Sequence, residues 1–121
     1  INNKEHFPYM DGKTVFKLAV TLLPKVTEEL LLQANMKIED LDMVIPHQAN
    51  LRINEAFRER INIPEEKMYN NIQRYGNTTA ATIPIALDEL MEKNMLKSND
   101  TVMFIGLGAG LTWGGVIYTL I

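Results

Sequence analysis

With 121 residues and 46% hydrophobic content, the chain is long enough for one domain, or one lobe of a larger one, and for a buried core. A formal net charge of -3, with Lys and Arg scattered among Asp and Glu, argues against nucleic-acid binding. No apolar run is long enough to span a bilayer and no basic-then-apolar leader opens the chain, so no membrane partner and a cytoplasmic location are expected. Cysteine is absent, which excludes disulfides, thiolate metal sites and a cysteine nucleophile within the chain. Because it opens on Ile1 rather than methionine, the chain reads as a fragment or a trimmed product.

Residues 1–10 mix Asn, Lys, His6 and Pro8 without periodicity and read as a loop arriving from something upstream, with His6 in solvent. Asp11-Gly12 then opens an amphipathic helix in which Val15, Phe16, Ala19, Leu22, Leu23, Val26, Leu30 and Leu31 recur at three- and four-residue steps. Pro24 interrupts that pattern and predicts a kink or two abutting helices, because it deletes one backbone hydrogen bond and clashes one turn back. Residues 35–40 are turn-like and lead into a buried strand at 42–45.

That strand ends in Pro46-His47-Gln48-Ala49-Asn50. Pro46 stiffens the exit and biases Ile45 to extended backbone, so His47 is aimed from a strand's carboxyl end, where ligands bind in open α/β sheets. A lone loop histidine is also a common structural residue, so this stretch does not decide its role. Asn50 is a good N-cap for a helix with Leu51, Phe57 and Ile61 on its apolar face. Its Arg52, Glu55, Arg58, Glu59 and Arg60 form either a solvated face or a docking surface for an acidic partner.

Residues 63–66 are a turn, and 68–72 read as a short strand or an irregular passage. In Tyr75-Gly76-Asn77-Thr78-Thr79, Asn77 is placed to cap a helix or to offer a side-chain N–H to a substrate oxygen. The following helix is expected over 79–95, with Ala80, Ile83, Leu87, Leu90 and Met91 on its apolar face and Pro84 tolerated near its start. A buried strand at 101–105 runs into Gly106-Leu107-Gly108-Ala109-Gly110. A dinucleotide-binding loop is rejected there, because the segment after it is β-like and too little chain remains for the acidic residue such a loop needs. A glycine turn between strands instead brings backbone N–H groups close to a ligand, as in an oxyanion hole. Trp113 is assigned to the core. The order helix, strand, helix, helix, strand, strand gives an α/β fold with a mixed sheet flanked by helices. No metal site is expected, since His6 and His47 have no ligand set at metal spacing.

His47-Gln48-Ala49-Asn50, the run from Gly76-Asn77-Thr78-Thr79 to Pro84, and Gly108-Ala109-Gly110-Leu111-Thr112-Trp113-Gly114 resemble the carboxyl-terminal half of the 3-oxoacyl-[acyl-carrier-protein] synthase III family. The likeness covers the chain from about Met10 onward and implies the C-terminal lobe of a thiolase-like fold: 11–121 would be the condensing-enzyme domain, incomplete at its N-terminus, and 1–10 a loop from a missing upstream half. It implies a transferase of type II fatty acid synthesis that condenses malonyl-acyl carrier protein with an acyl-CoA primer, with decarboxylation. His47 and Asn77 would be catalytic and Gly108, Ala109 and Gly110 would form the oxyanion loop. Asn50 would line the substrate tunnel, and Arg52, with Lys17 and Arg60, would receive the carrier protein or CoA. No cofactor is implied beyond the CoA and carrier-protein thioesters, and the whole enzyme would be a homodimer. The family's nucleophilic cysteine belongs to the half not present here, so the fragment alone is expected to be inactive. Leu107 and Ala109 depart from the phenylalanine and glycine frequent in the family. A related thioester-condensing enzyme of secondary metabolism, and a non-catalytic carrier-protein-binding module, are the alternatives.

Overall fold

Strands whose apolar side chains alternate between two faces need cover on both, and the computed structural model, which describes residues 10–121, supplies it with helices. Helix α1 (Gly12–Ala34) leads through a short helical turn (Ile38–Asp40) to strand β1 (Met43–Pro46). Helix α2 (Leu51–Ile61), the one-turn α3 (Ile72–Tyr75) and α4 (Thr82–Glu92) follow, then strands β2 (Thr101–Gly108) and β3 (Thr112–Thr119). The sheet order is β1-β2-β3, with β1 parallel to β2 and β2 antiparallel to β3, which is the mixed sheet expected. The expected loop at 1–10, with His6, lies outside the described residues except for the exposed Met10.

The core divides by strand parity. Val44, Met103 and Ile105 pack with Ala19 and Leu23 of α1 and Phe57 of α2. Met43, Ile45 and Val102 pack on the opposite side with Ala86 and Leu90 of α4. Full burial of side chains of this size contributes roughly 1.5–3 kcal/mol each, so these two clusters hold the lobe together. Gly115 lets α1 approach β3, since a Cβ there would sit 2.7 Å from Leu30 Cδ1 and 2.8 Å from the Phe104 carbonyl.

Helix α1 starts where expected. Asp11 Oδ1 accepts from the backbone N–H groups of Lys13 and Thr14, each at 3.1 Å, and Oδ2 accepts from Thr14 Oγ1 at 2.7 Å. It then runs through Pro24 as one helix, so the division into two abutting helices is not observed. Two features explain this continuity. The face bearing Ala19, Leu23 and Val26 is buried on both sides of the proline. The Val20 carbonyl, four residues back and deprived of its donor, accepts from Arg60 Nη1 at 3.2 Å.

One open reading is decided, in favour of the irregular passage at 68–72, and three expectations change. Residues 68–72 make only an isolated parallel bridge, Met68 to Val44, before α3 begins. The helix expected over 79–95 is confined to Thr82–Glu92: Thr79–Ala81 is a tighter turn, and Asn94 in left-handed backbone ends it with Met95 N–H donating back to the Leu90 carbonyl. Met91 is half exposed and Ala80 is exposed, so the apolar face is covered mainly at Ile83, Ala86, Leu87 and Leu90. Trp113 is not core; it is 50% exposed, at the end of the edge strand β3.

The Arg60 bond to Val20 can be isolated by a double-mutant cycle. Arg60→Ala is expected to cost about 0.5–1.5 kcal/mol in urea unfolding of the full-length protein. In a Pro24→Ala background, where residue 24 regains its own N–H, the same change is expected to cost measurably less.

Candidate active site

The parallel pairing of β1 with β2 carries the chemistry-bearing loops out at one end of the sheet. One rung beyond Pro46, the His47 backbone N–H donates to the Ile105 carbonyl at 2.8 Å, so His47 is held against β2 by the ladder itself. Gly106 makes room for it, since a Cβ there would lie 3.3 Å from His47 Cβ. The imidazole is half-buried, and Nδ1 shares a 2.5 Å hydrogen bond with Thr82 Oγ1, a buried hydroxyl at the start of α4. Burial lowers the His47 pKa below the usual histidine value and favours the neutral ring. Among the described residues Nε2 has no hydrogen-bond partner, which leaves it for a ligand.

Asn77 is placed by the one-turn α3, whose last turn closes with the Gly76 N–H donating to the Ile72 carbonyl at 2.8 Å. Gly76 has a φ of +68°, where a side chain would be strained. Asn77 Oδ1 accepts from the Thr79 backbone N–H at 2.9 Å, so both sequence-based readings apply to one residue: its oxygen caps the turn while its Nδ2 is left to donate. Gly108 ends β2, and Ala109 and Gly110 follow it into the β2-β3 turn, pinned by Thr112 Oγ1 donating to the Ala109 carbonyl at 3.1 Å.

These groups share one space. A cavity of about 490 Å³ is lined by His47, Asn77, the turn from Gly108 to Gly110, and apolar side chains of α1 and α2 including Val15, Leu23 and Ile53. A second, more open cleft of about 740 Å³ again meets His47 and Asn77, now with Thr82, Ile83 and Trp113. An apolar channel with a few convergent polar groups suits a chain-like ligand with one reactive carbonyl end.

Other candidates are placed elsewhere. Asn50 does not line the cleft: its Oδ1 caps α2 by accepting from the Arg52 N–H at 3.0 Å. Ala49 and the buried Asn54, whose Nδ2 donates to Asn70 Oδ1 at 2.7 Å, occupy that wall instead. Arg52 and Lys17 are exposed on α2 and α1. Arg60 is exposed as well, with one of its N–H groups committed to Val20. Sequence reasoning assigned no role to Thr82 or Glu89, yet Thr82, Ala86, Glu89 and Leu90 follow helical spacing, and polar residues in that stripe were the available signal. Among the described residues no group of three His, Asp or Glu could hold a metal, and no helix is long and apolar enough to cross a membrane.

Comparison with known proteins accords with this geometry. The family described as 3-oxoacyl-[acyl-carrier-protein (ACP)] synthase III C terminal matches residues 31–120. The chain is 50% identical over 117 residues to the beta-ketoacyl-[acyl-carrier-protein] synthase III of Fusobacterium nucleatum, covering 97% of this chain and 36% of that protein. The crystal structure of 3-oxoacyl-[acyl-carrier-protein] synthase III from Aquifex aeolicus superposes with a TM-score of 0.90 at 47% identity, over 92% of this chain and 36% of that one. A priming beta-ketosynthase from a polyketide biosynthetic pathway superposes with a TM-score of 0.85 at 36% identity, over 93% of this chain and 34% of that one. The lobe is thiolase-like in fold. The chain belongs to the 3-oxoacyl-[acyl-carrier-protein] synthase III C-terminal family and spans about a third of the length of the relatives it matches.

The lowered His47 pKa has a definite sign. The unfolded chain binds the proton more readily, so this residue's contribution to stability grows as pH rises from the folded-state pKa toward 6.5. An NMR titration of the His47 ring in the full-length protein is expected to give a midpoint below 6.5, and a midpoint at or above it would contradict a neutral, half-buried imidazole.

Proposed function

We propose that the protein carrying this chain is an initiating condensing enzyme that joins a malonyl thioester on acyl carrier protein to an acyl group delivered by CoA. The observation that carries this reading is the convergence of His47, Asn77 and the 108–110 turn on one apolar cleft. As the malonyl carboxylate leaves as carbon dioxide, the electron pair of the broken C–C bond passes into the thioester and forms an enolate. Two neutral N–H donors aimed at that oxygen lower the barrier, because they meet charge that exists only as the bond breaks. His47 Nε2 and Asn77 Nδ2 are those donors. A Thr82 hydroxyl donating to Nδ1 keeps the ring proton on Nε2, and burial keeps the ring neutral.

The enolate carbon then attacks the acyl thioester carbonyl, a new C–C bond forms, and the enzyme thiolate departs. That thiolate must come from a part of the protein outside this cysteine-free chain. Backbone N–H groups of the 108–110 turn receive the oxyanion of the acyl-transfer steps. Exposed Arg52, Lys17 and Arg60 offer positive charge to an acidic carrier protein. The likeness to a polyketide priming beta-ketosynthase supports a second reading, in which the same chemistry starts a polyketide.

In the full-length protein, His47→Ala and Asn77→Ala are each expected to slow malonyl decarboxylation about a hundredfold to a thousandfold, the usual loss for one oxyanion donor. Release of labelled carbon dioxide from malonyl-acyl carrier protein measures this directly. Loss of less than about threefold in both variants would overturn the assignment.

A further inference from the structure

Gln48 is fully buried, and its carboxamide uses every hydrogen-bonding position it has. Nε2 donates to the Pro46 carbonyl at 2.8 Å and to the Tyr69 carbonyl at 3.2 Å. Oε1 accepts from the backbone N–H groups of Asn71 at 3.1 Å and Ile72 at 3.2 Å. Those two amides open α3 and would otherwise lack partners inside the protein, a costly state for a buried donor. One side chain thus ties the residue before His47 to the start of the single helical turn that ends beside Asn77.

The tie closes on itself through α4. The buried Asn71 side chain donates from Nδ2 to Glu89 Oε2 at 2.9 Å. Glu89 is also paired with Lys93 at 2.7 Å and with Arg74, and the Lys93 ammonium, then Asn71, hold its carboxyl down at about 2. Two turns earlier on the same buried face, α4 presents Thr82 to His47 Nδ1. The circuit therefore runs His47, Gln48, Asn71, Glu89, α4, Thr82 and back to His47, through buried polar groups that have partners throughout.

We infer that Gln48 is a positioning residue: it sets the separation of His47 and Asn77, so that both N–H donors reach one oxygen. This rests on the roles proposed above for those two residues. An amide is required chemically, because the site asks one atom to donate twice and its neighbour to accept twice. A carboxylate of the same shape would face the Pro46 and Tyr69 carbonyls with an acceptor and could donate only when protonated. A thioether of similar length makes none of the four bonds.

The test compares Gln48→Met and Gln48→Glu with the parent full-length protein in two half-reactions, acyl transfer from acyl-CoA and decarboxylation of malonyl-acyl carrier protein. Gln48→Met is expected to lose about tenfold to a hundredfold in kcat for decarboxylation, the scale of a misplacement near 1 Å, while acyl transfer changes less than threefold. Gln48→Glu, expressed as a ratio to the parent, is expected to decarboxylate well at low pH, where its buried carboxyl is protonated, and to lose rate as pH rises. It also keeps the test open if Gln48→Met fails to fold. Equal losses in both half-reactions, or a pH-independent ratio for Gln48→Glu, would overturn the positioning role. His47→Ala run alongside separates the two claims: if decarboxylation survives it, the proposed roles fail and this inference with them. If His47→Ala abolishes decarboxylation while the Gln48 variants retain it, only the positioning role fails.

Discussion

The parallel pairing of β1 with β2 decides where chemistry is possible in this lobe. Both strands end at the same edge, and the rung from His47 N–H to the Ile105 carbonyl carries the ladder one residue past Pro46. His47 and the glycine turn after β2 must therefore emerge side by side. A parallel pair is stable only when covered on both faces, and the two clusters under α1 with α2, and under α4, provide that cover. The rigidity of the site is in this sense a by-product of the core.

Rigidity at one edge does not by itself place Asn77, which arrives on a separate segment after an irregular passage. Here buried polar groups take over from apolar packing. Hydrogen bonds fix distance and direction where van der Waals contact tolerates sliding, provided every member of the network is satisfied. Among the described residues no buried side-chain nitrogen or oxygen lacks a partner, so the circuit from Gln48 to Thr82 meets that condition. The same α4 that seals one face of the sheet thus orients the imidazole at the strand ends.

Much of this was legible in the chain itself. The order of the longer elements, the mixed sheet, the helix opening at Asp11-Gly12, the Asn50 cap and the helix from Leu51 follow from periodicity and capping chemistry that act locally. The failures share a cause, which is that local pattern does not say what lies across from a residue. Pro24 reads as a helix break until Arg60, distant in sequence, satisfies the Val20 carbonyl. Trp113, Met91 and Ala80 sit in apolar patterns yet are exposed, because periodicity marks a face as apolar without identifying its cover. Gln48 stood inside a motif read for its histidine and asparagine, and its role depends on backbone amides more than twenty residues away.

The central claim is that His47 and Asn77 serve one oxygen. A crystal structure of the full-length protein with a malonyl thioester analogue that cannot decarboxylate tests it most directly. The expected result places the thioester carbonyl oxygen about 3 Å from both His47 Nε2 and Asn77 Nδ2. A carbonyl oxygen bonded to neither, with the malonyl group seated away from the 108–110 turn, would contradict it.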